Sequence, residues 1–179
     1  MNITKKLSLV ALLASLSWGT HAAGFNYNYG QIELKTGDYD GLALTGSFVI
    51  NKDFFIIANY IDTTNDELGF DVDVDAITVG AGYHMPIDKK TDAVFTVSAA
   101  SVDVGPIDDT GIFLTAGVRH NLNSDIELAG GVQHISAFDG ESGLYGEARY
   151  NINKTMSAGL TFTTGDYLDG LGLNFRMGF

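Results

Sequence analysis

The sequence predicts an all-β protein, an antiparallel up-and-down barrel whose strands cross a membrane, with ten strands or, as an alternative, eight. Three observations predict this fold. Residues 171–179 alternate strictly between large apolar residues and small or polar ones, which is the period of a strand with two unlike faces. Similar alternation recurs in segments of about the length of a tilted spanning strand. Finally, acidic residues gather in every second connection between those segments.

Residues 1–22 have the three-part plan of a secretory signal peptide. Lys5 and Lys6 form a basic head, residues 7–18 form an apolar run, and small residues lead to a cleavage site that we expect after Ala22. The apolar run of about 12 residues is shorter than the roughly 20 that a membrane-spanning helix needs. We therefore predict two regions, a signal peptide over residues 1–22 and a barrel over residues 23–179.

The composition of the remaining chain excludes several classes of function. Without Lys5 and Lys6, eight basic residues stand against 22 acidic ones, so the net charge is −14. This charge argues against nucleic acid as a partner. The chain has no cysteine for disulfides or thiol chemistry, and its 22 glycines and two prolines fit strands and tight turns.

Alternating segments account for the chain after the signal peptide. Turn-forming residues separate them, as at residues 51–53, 121–124 and 151–154. An even number of strands places both ends of a single-chain bacterial barrel on one side. Eight strands remain the alternative if two short segments belong to loops. The predicted strands are residues 25–35, 41–50, 54–61, 72–84, 93–102, 110–120, 125–135, 144–151, 156–164 and 170–179.

The two faces of each predicted strand differ in side-chain size. In residues 41–50, for example, Leu42, Leu44 and Phe48 alternate with Thr45 and Ser47. A soluble ligand-holding barrel would cover its outside with Lys and Glu, whereas the second face here consists mainly of Gly, Ser, Thr and Ala. We therefore predict that the large apolar face contacts lipid and that the small polar face fills the lumen.

The acidic residues lie in one set of connections. If both termini are periplasmic, the odd-numbered connections face outward, and they contain no Lys or Arg apart from Lys35 at the margin. Asp71, Asp73 and Asp75 share one strand face, and divalent cations prefer such oxygen ligands. We predict solvated acidic outer loops, with bound divalent cations as the alternative. The outward acidic residues are Asp38, Asp40, Asp62, Asp66, Glu67, Asp71, Asp73, Asp75, Asp103, Asp108, Asp109, Asp139, Glu141, Asp166 and Asp169.

Five charged residues have the parity of the predicted lumen face: Arg119, Glu127, Glu147, Arg149 and Arg176. Charges in a narrow interior must pair or stay hydrated, so we expect an ion-paired plug that joins the sixth, seventh, eighth and tenth strands. A conducting constriction lined by the same residues is the alternative. Ten strands enclose far less space than the roughly 16 to 18 strands of an open porin, which favours the plug.

His134 and Ser136 form a nucleophile-like pair near a predicted outer end. Two residues apart on a strand, they share the lipid face, where an acid that orients the His would complete a site for attack on a membrane lipid. The H-x-S spacing resembles that of lipid A deacylase barrels. The third member departs from that pattern, because Glu147 has lumen parity and Asp139 and Glu141 lie in a loop. A lipid hydrolase is therefore a remote alternative.

The whole chain resembles the small outer-membrane β-barrel proteins of Gram-negative bacteria, of the OmpA, OmpX and OmpW kind within the porin-like barrels. The resemblance rests on the signal peptide, F-N-Y-N-Y at residues 25–29, the Asp40-Gly41 start of the second segment, the short acidic loops and the terminal Phe179. It implies the cell outer membrane as the location. It also implies that the barrel assembly machinery recognises the apolar row Leu171, Leu173, Phe175, Met177 and Phe179.

Small outer-membrane barrels serve as adhesins, stress-resistance proteins, narrow pores and enzymes, so the resemblance does not decide the role. We predict a non-enzymatic integral outer-membrane protein with a structural or surface-interacting role and a narrow, ion-paired lumen. A narrow cation or small-solute channel is the alternative. The expected partners are outer-membrane lipid and lipopolysaccharide, the barrel assembly machinery, and divalent cations at the acidic loops. We predict no cofactor, no catalytic residue and no specific metal site.

Overall fold

The computed structural model describes residues 24–65, 72–165 and 169–179. Within these ranges, no helix is long and apolar enough to cross a membrane. The predicted signal peptide lies outside the described residues, and so do the acidic residues Asp66, Glu67, Asp71 and Asp166. The strands are β1 (Tyr29–Thr36), β2 (Asp40–Val49), β3 (Phe54–Asn65), β4 (Val72–Pro86), β5 (Thr91–Val104), β6 (Ile107–Asn121), β7 (Ile126–Ile135), β8 (Glu141–Asn151), β9 (Met156–Thr163) and β10 (Gly170–Gly178).

The strands close into a barrel in chain order. Each strand pairs antiparallel with the next, and β10 pairs with β1 from Tyr29↔Gly178 to Thr36↔Leu171. The predicted all-β, up-and-down barrel of ten strands is confirmed, and the alternative of eight strands is wrong. Closure leaves no unpaired sheet edge, which is what a β structure in lipid requires.

Side chains alternate between an apolar exterior and a packed interior. Among the most exposed large residues are Leu34 at 60%, Leu160 at 64% and Leu171 at 62% exposure. Residues of the opposite parity are buried, with Asn174 at 2% and Ser47 at 3%. A water-soluble barrel shows the reverse pattern, so this apolar exterior is the surface that faces lipid.

The first strand begins later than the alternation predicts. β1 starts at Tyr29, whereas the predicted segment starts at residue 25. We call the end of the barrel at which the described chain starts and ends the periplasmic end, after the orientation that the sequence predicts. Residues 25–28 turn into the lumen at this end. Tyr27 is 4% exposed there, and its hydroxyl donates to Asp92 Oδ2 at 3.0 Å. We call residues 25–28 the N-terminal plug.

The central strands β4, β5 and β6 are longer than predicted, at 15, 14 and 15 residues. A spanning strand needs only about 9 to 11 residues, so these three strands extend past the bilayer. Gly105, with a φ of 55°, closes the β5–β6 hairpin in the left-handed region that glycine tolerates. The acidic residues around Pro106 suggested a loop, but the strand pairing continues through Asp103↔Asp108 to Val104↔Ile107.

Candidate functional site: the barrel lumen

A first group of lumen charges centres on Arg149 and Glu147 of β8. Arg149 is 2% exposed, and its Nη2 contacts a carboxylate oxygen of Glu147. The same Nη2 donates to Gln31 Oε1 at 2.9 Å, while Nη1 donates to Ser157 Oγ at 3.1 Å. These contacts join β8 to β9 and to β1. A guanidinium with several fixed acceptors holds neighbouring strands in register.

Arg176 of β10 completes this group. Its Nη2 lies 3.6 Å from Glu147 Oε2, and its Nε donates to Gln31 Oε1 at 2.9 Å. The guanidinium carbon lies 3.9 Å from the ring centroid of Tyr29, a cation–π distance. Asn174 Nδ2 donates to Glu147 Oε1 at 2.9 Å. Glu147 therefore carries the negative charge that two lumen arginines, Arg149 and Arg176, contact directly.

Arg119 and Glu127 form a second, separate pair between β6 and β7. Arg119 Nη2 and Nε both lie 2.8 Å from Glu127 Oε1. The guanidinium carbon stands 4.8 Å from the Phe25 ring centroid and 4.7 Å from that of Tyr27. The structure thus distributes the five predicted lumen charges over two groups rather than one network.

The sequence prediction missed the neutral members of these groups. Gln31 accepts hydrogen bonds from both Arg149 and Arg176, and Asn174 donates to Glu147. Both residues have lumen parity, which is the signal that would have identified them. Their amide side chains carry no charge, so the pairing of opposite charges does not predict their contacts.

The N-terminal plug fills one part of the periplasmic side of the lumen around Tyr27, and Phe25 and Asn26 also line the open vestibule beside it. The Tyr27 ring stacks on His84 at 4.1 Å and on Phe55 at 4.9 Å between centroids. His84 Nδ1 lies 3.2 Å from Asp92 Oδ2, the oxygen that also accepts the hydrogen bond from the Tyr27 hydroxyl. Gly82 makes room for the stack, because a Cβ at this position would overlap the Phe55 ring.

The outer half of the lumen is mainly apolar, although Lys35 and Thr63 also line the cavity that remains there. Val74, Val102 and Ala137 are buried there at 8%, 8% and 2% exposure, together with Ala100 and Ile135. The cavity left between them is about 50 Å³, little more than the room for one or two water molecules. The predicted small polar lumen is therefore wrong for this half. We call these five buried residues the outer core.

The loop between β7 and β8 covers the outer core. It folds inward over Gly111, whose lack of a side chain allows the close approach of Ala137. Phe138 adopts a left-handed backbone with a φ of 51°, which is uncommon for a bulky residue, and packs against the outer core. Its backbone N–H donates to Asp109 Oδ2, which holds the loop over the lumen.

A row of four aspartates crosses the outward face of the outer end. Strand register places Asp62 opposite Asp75, Asp75 opposite Asp103, and Asp103 opposite Asp108. The Tyr60 hydroxyl lies 3.1 Å from Asp62 Oδ2 and 2.9 Å from Asp75 Oδ1. Of the three carboxylates predicted on one face, Asp73 and Asp75 have that parity, and Asp71 lies outside the described residues. Within the described ranges, no group of three His, Cys, Asp or Glu residues has metal-binding geometry.

The structure does not bring His134 and Ser136 together. His134 Nδ1 lies 2.9 Å from Ser142 Oγ on the neighbouring strand, and Ser136 Oγ instead accepts the backbone N–H of Ile112 at 2.8 Å. The prediction that the two residues share one strand face is wrong, because β7 ends at Ile135 and Ser136 no longer follows the strand alternation. Glu147 lies in the lumen and contacts Arg149 and Arg176.

An open vestibule of about 580 Å³ lies at the periplasmic mouth. Arg119, Arg149 and Arg176 line its inner part, and Lys90 and Lys154 lie in the exposed turns around it. The other lining residues are mainly Asn, Ser and Thr. The lumen thus has a polar entrance on one side and an apolar closure on the other.

No protein-family model matches the chain, and no curated protein matches it. Solved structures match it in fold. The KdgM porin aligns with a TM-score of 0.50 and 9% identity, over 84% of this chain and 98% of the porin. The NanC porin aligns with the same values.

The chain is an outer-membrane β-barrel. Its fold is that of the two porins, and its apolar exterior is that of a protein of the cell outer membrane. At 9% identity the likeness concerns the fold alone. The resemblance to the OmpA, OmpX and OmpW kind of small barrel stays a prediction from the sequence.

Proposed function

We propose that this protein is a non-enzymatic barrel with a sealed lumen, which acts as a structural or surface-interacting element of the outer membrane. The observation that carries the proposal is closure at two levels. The N-terminal plug occupies the periplasmic side, and the outer core fills the opposite half. An ion crossing the barrel would have to pass both, and an apolar constriction excludes water as well as ions.

A non-enzymatic role agrees with the surroundings of His134. Its Nδ1 contacts Ser142, and among the described residues no carboxylate is hydrogen-bonded to its second ring nitrogen. A His that activates a serine needs such a group to fix its tautomer and orientation. Within the part of the chain that the structure describes, the lipid hydrolase alternative therefore has no orienting acid at His134.

The acidic outer surface supports lipopolysaccharide and divalent cations as partners. Asp62, Asp75, Asp103 and Asp108 lie on the outward face, at the height where lipid headgroups begin. Lipopolysaccharide is itself bridged by divalent cations, and carboxylate oxygens are good ligands for them. In this proposal, cations shared between the aspartates and the lipid bind the barrel to the outer leaflet.

Current recordings in planar bilayers test the sealed lumen. The wild-type barrel should give no steady conductance. Tyr27→Ala and Phe138→Ala each weaken one closure and should leave the barrel closed, whereas the double variant should conduct. Phe54→Ala is the matched control, because Phe54 is the outward-facing neighbour of Phe55 and is 46% exposed. Steady current through the wild type would refute the sealed lumen.

A narrow cation or small-solute channel is the second candidate. Two observations favour it: the polar vestibule at the periplasmic mouth and the fold shared with two proteins named as porins. In this case the wild type itself conducts, and Tyr27→Ala alone raises the current. The same recordings therefore separate the two candidates.

We also propose that β10 is the strand that the barrel assembly machinery recognises. Leu171, Leu173 and Phe175 form an outward apolar row at 62%, 57% and 41% exposure, and Met177 extends it at 49%. An edge not yet paired with β1 could be captured by strand addition. Deleting Phe179 should lower the amount of protein in the outer membrane of cells but leave refolding into detergent intact. Equal outer-membrane levels of both proteins at equal synthesis would refute this role.

A further inference from the structure

The vestibule at the periplasmic mouth is basic in a protein that is otherwise acidic. The chain carries a formal net charge of −12, yet cations outnumber carboxylates on the vestibule wall. The charged lining residues are Lys90, Arg119, Arg149, Lys154, Arg176, Asp125 and Glu127. A concave surface lined by one sign of charge concentrates ligands of the opposite sign.

Arg149 gives an independent indication of a ligand. The residue lines the vestibule and is 2% exposed. Its two Nη atoms have acceptors on Ser157, Gln31 and Glu147. Its Nε has no hydrogen-bond acceptor among the described residues. A buried N–H of a charged group that lacks an acceptor is costly, so the Arg149 guanidinium keeps donor capacity that the described residues do not use.

We propose that the vestibule binds a small solute that carries a phosphate or carboxylate group. Arginine presents its N–H groups in the planar arrangement that matches both kinds of oxyanion. The volume of about 580 Å³ suits a compact metabolite. Asn121, Asn151 and Ser157 supply amide and hydroxyl groups for the uncharged part of the solute. Lys90 and Lys154 attract the anion to the mouth.

Such a site is independent of conduction, because a barrel that is closed on its outer side still opens to the periplasm through the vestibule. The inference therefore goes beyond the proposed sealed role and does not depend on it. A sealed barrel would hold the anion, and a conducting one would select for it.

Titration calorimetry on the folded barrel in detergent tests the site with matched probes. Glycerol 3-phosphate represents the phosphate source and succinate the carboxylate source. Glycerol and succinamide are their uncharged counterparts. We expect saturable binding of at least one anion and none of the neutral compounds, with affinity that falls as NaCl rises. Equal binding of charged and neutral probes, or no binding of either anion, would overturn the proposal.

Lysine variants locate the site without disturbing the interior. Lys90→Gln and Lys154→Gln should each weaken anion binding about two- to fivefold, the scale of a partly exposed charge pair. Lys89→Gln is the matched control, because Lys89 adjoins Lys90 but does not line the vestibule. If Lys89→Gln weakened binding as much as Lys90→Gln, the site would not be the vestibule.

Arg149→Gln tests the central contact. It should weaken binding more than about tenfold, since a buried charged partner contributes more than an exposed one. Arg149→Lys keeps the charge but loses the planar donor set, so it should restore only part of the affinity. Unchanged binding in a folded Arg149→Gln barrel would contradict the assigned role. If Arg149→Gln does not fold, the lysine series still decides the proposal.

Discussion

The membrane-embedded and outer parts of the barrel have opposite chemistry on the same two faces. Along the embedded part of β4, the outward residues Ile77 and Val79 are 44% and 57% exposed, and the inward Thr78 is buried and polar. Beyond Asp75 the pattern inverts, since Asp73 is outward and Val74 is inward at 8% exposure. The alternation itself continues without a break. What changes is which face is apolar.

The row of four aspartates marks where this change occurs. On β4, the outward Tyr83 and Asp75 are eight positions apart, which is about 26 Å along the strand and ~20 Å along the barrel axis at a tilt of ~40°. That height is close to the apolar band of about 25 Å in outer-membrane barrels. A charge on the outward face inside the hydrocarbon would be costly, so the row lies at or above the headgroups.

Two different forces therefore hold the two parts together. Lipid solvates the apolar exterior of the embedded part, so its interior coheres through hydrogen bonds and ion pairs such as that of Arg149 with Glu147. Water surrounds the outer part, so burial of Val74, Val102 and their neighbours is favourable there, as in a soluble protein. The outer core thus packs like the core of a water-soluble protein, next to a membrane-embedded base.

The embedded part should be most sensitive to the loss of Glu147. Glu147→Gln leaves the cations Arg149 and Arg176 without their shared carboxylate, so we expect a loss of about 3–5 kcal/mol in unfolding free energy. Urea unfolding in detergent, followed by circular dichroism, measures the loss. Asp139→Asn, in an exposed loop, is the control and should change little. A loss below about 1 kcal/mol would contradict the view that this ion pair supports the interior.

The outer part should instead be destabilised by a charged residue on its inward face. Val102→Asp places a carboxylate in the outer core, and we expect a loss of about 3 kcal/mol at neutral pH. The loss should shrink at low pH, where the carboxyl is protonated. Thr64→Asp is the control, because Thr64 faces outward beyond the aspartate row, opposite Asp73, and an added carboxylate there should cost less than about 1 kcal/mol. Equal losses for the two variants would refute the soluble character of this part.

The sequence was sufficient for the fold because alternation and turn residues are local signals. The predicted segment 41–50, for instance, is β2 with bounds shifted by one residue. Side-chain contacts between residues distant in sequence could not be predicted from these local signals. Tyr27 leaves the strand pattern because of Asp92, 65 residues away, and His134 contacts Ser142 because of the register between β7 and β8.

The chemistry of the lumen could be predicted only in part. Parity predicts that Glu147 and Arg149 face the interior, because charged residues at lipid-facing strand positions are costly whatever their neighbours are. In the structure the two side chains contact each other, and Arg149 is 2% exposed. Parity did not reveal the outer core. Val74 and Val102 have lumen parity, but their apolar character is decided by water around the outer part, and periodicity contains no information about the surrounding medium.

The N-terminal plug offers a smaller test inside the embedded part. Tyr27→Phe keeps the stacked ring but removes the hydroxyl that donates to Asp92, so we expect a loss of about 1 kcal/mol. Hydrogen exchange at residues 25–28 should rise, because the plug opens locally before the barrel unfolds. Tyr83→Phe, an outward tyrosine that packs on Phe54, is the control. No change in exchange would show that the aromatic stack alone fixes the plug.

A substitution in the aspartate row should change the stability of the barrel least, and it should increase the stability rather than lower it. Asp75 faces Asp62 on one side and Asp103 on the other, and like charges directly opposite each other destabilise a sheet. Asp75→Asn should therefore stabilise the barrel by about 0.2–1 kcal/mol at low ionic strength, and the gain should vanish in about 1 M NaCl as screening increases. Thermal unfolding in detergent, with and without Mg²⁺, measures both.

If the row binds divalent cations, Mg²⁺ should stabilise the wild type more than Asp75→Asn. A barrel that is destabilised by Asp75→Asn at low salt, with no Mg²⁺ present, would show that the carboxylate contributes more through its contact with Tyr60 than it costs by repulsion. The row would then be part of the folded sheet rather than the boundary at which the barrel meets charged headgroups.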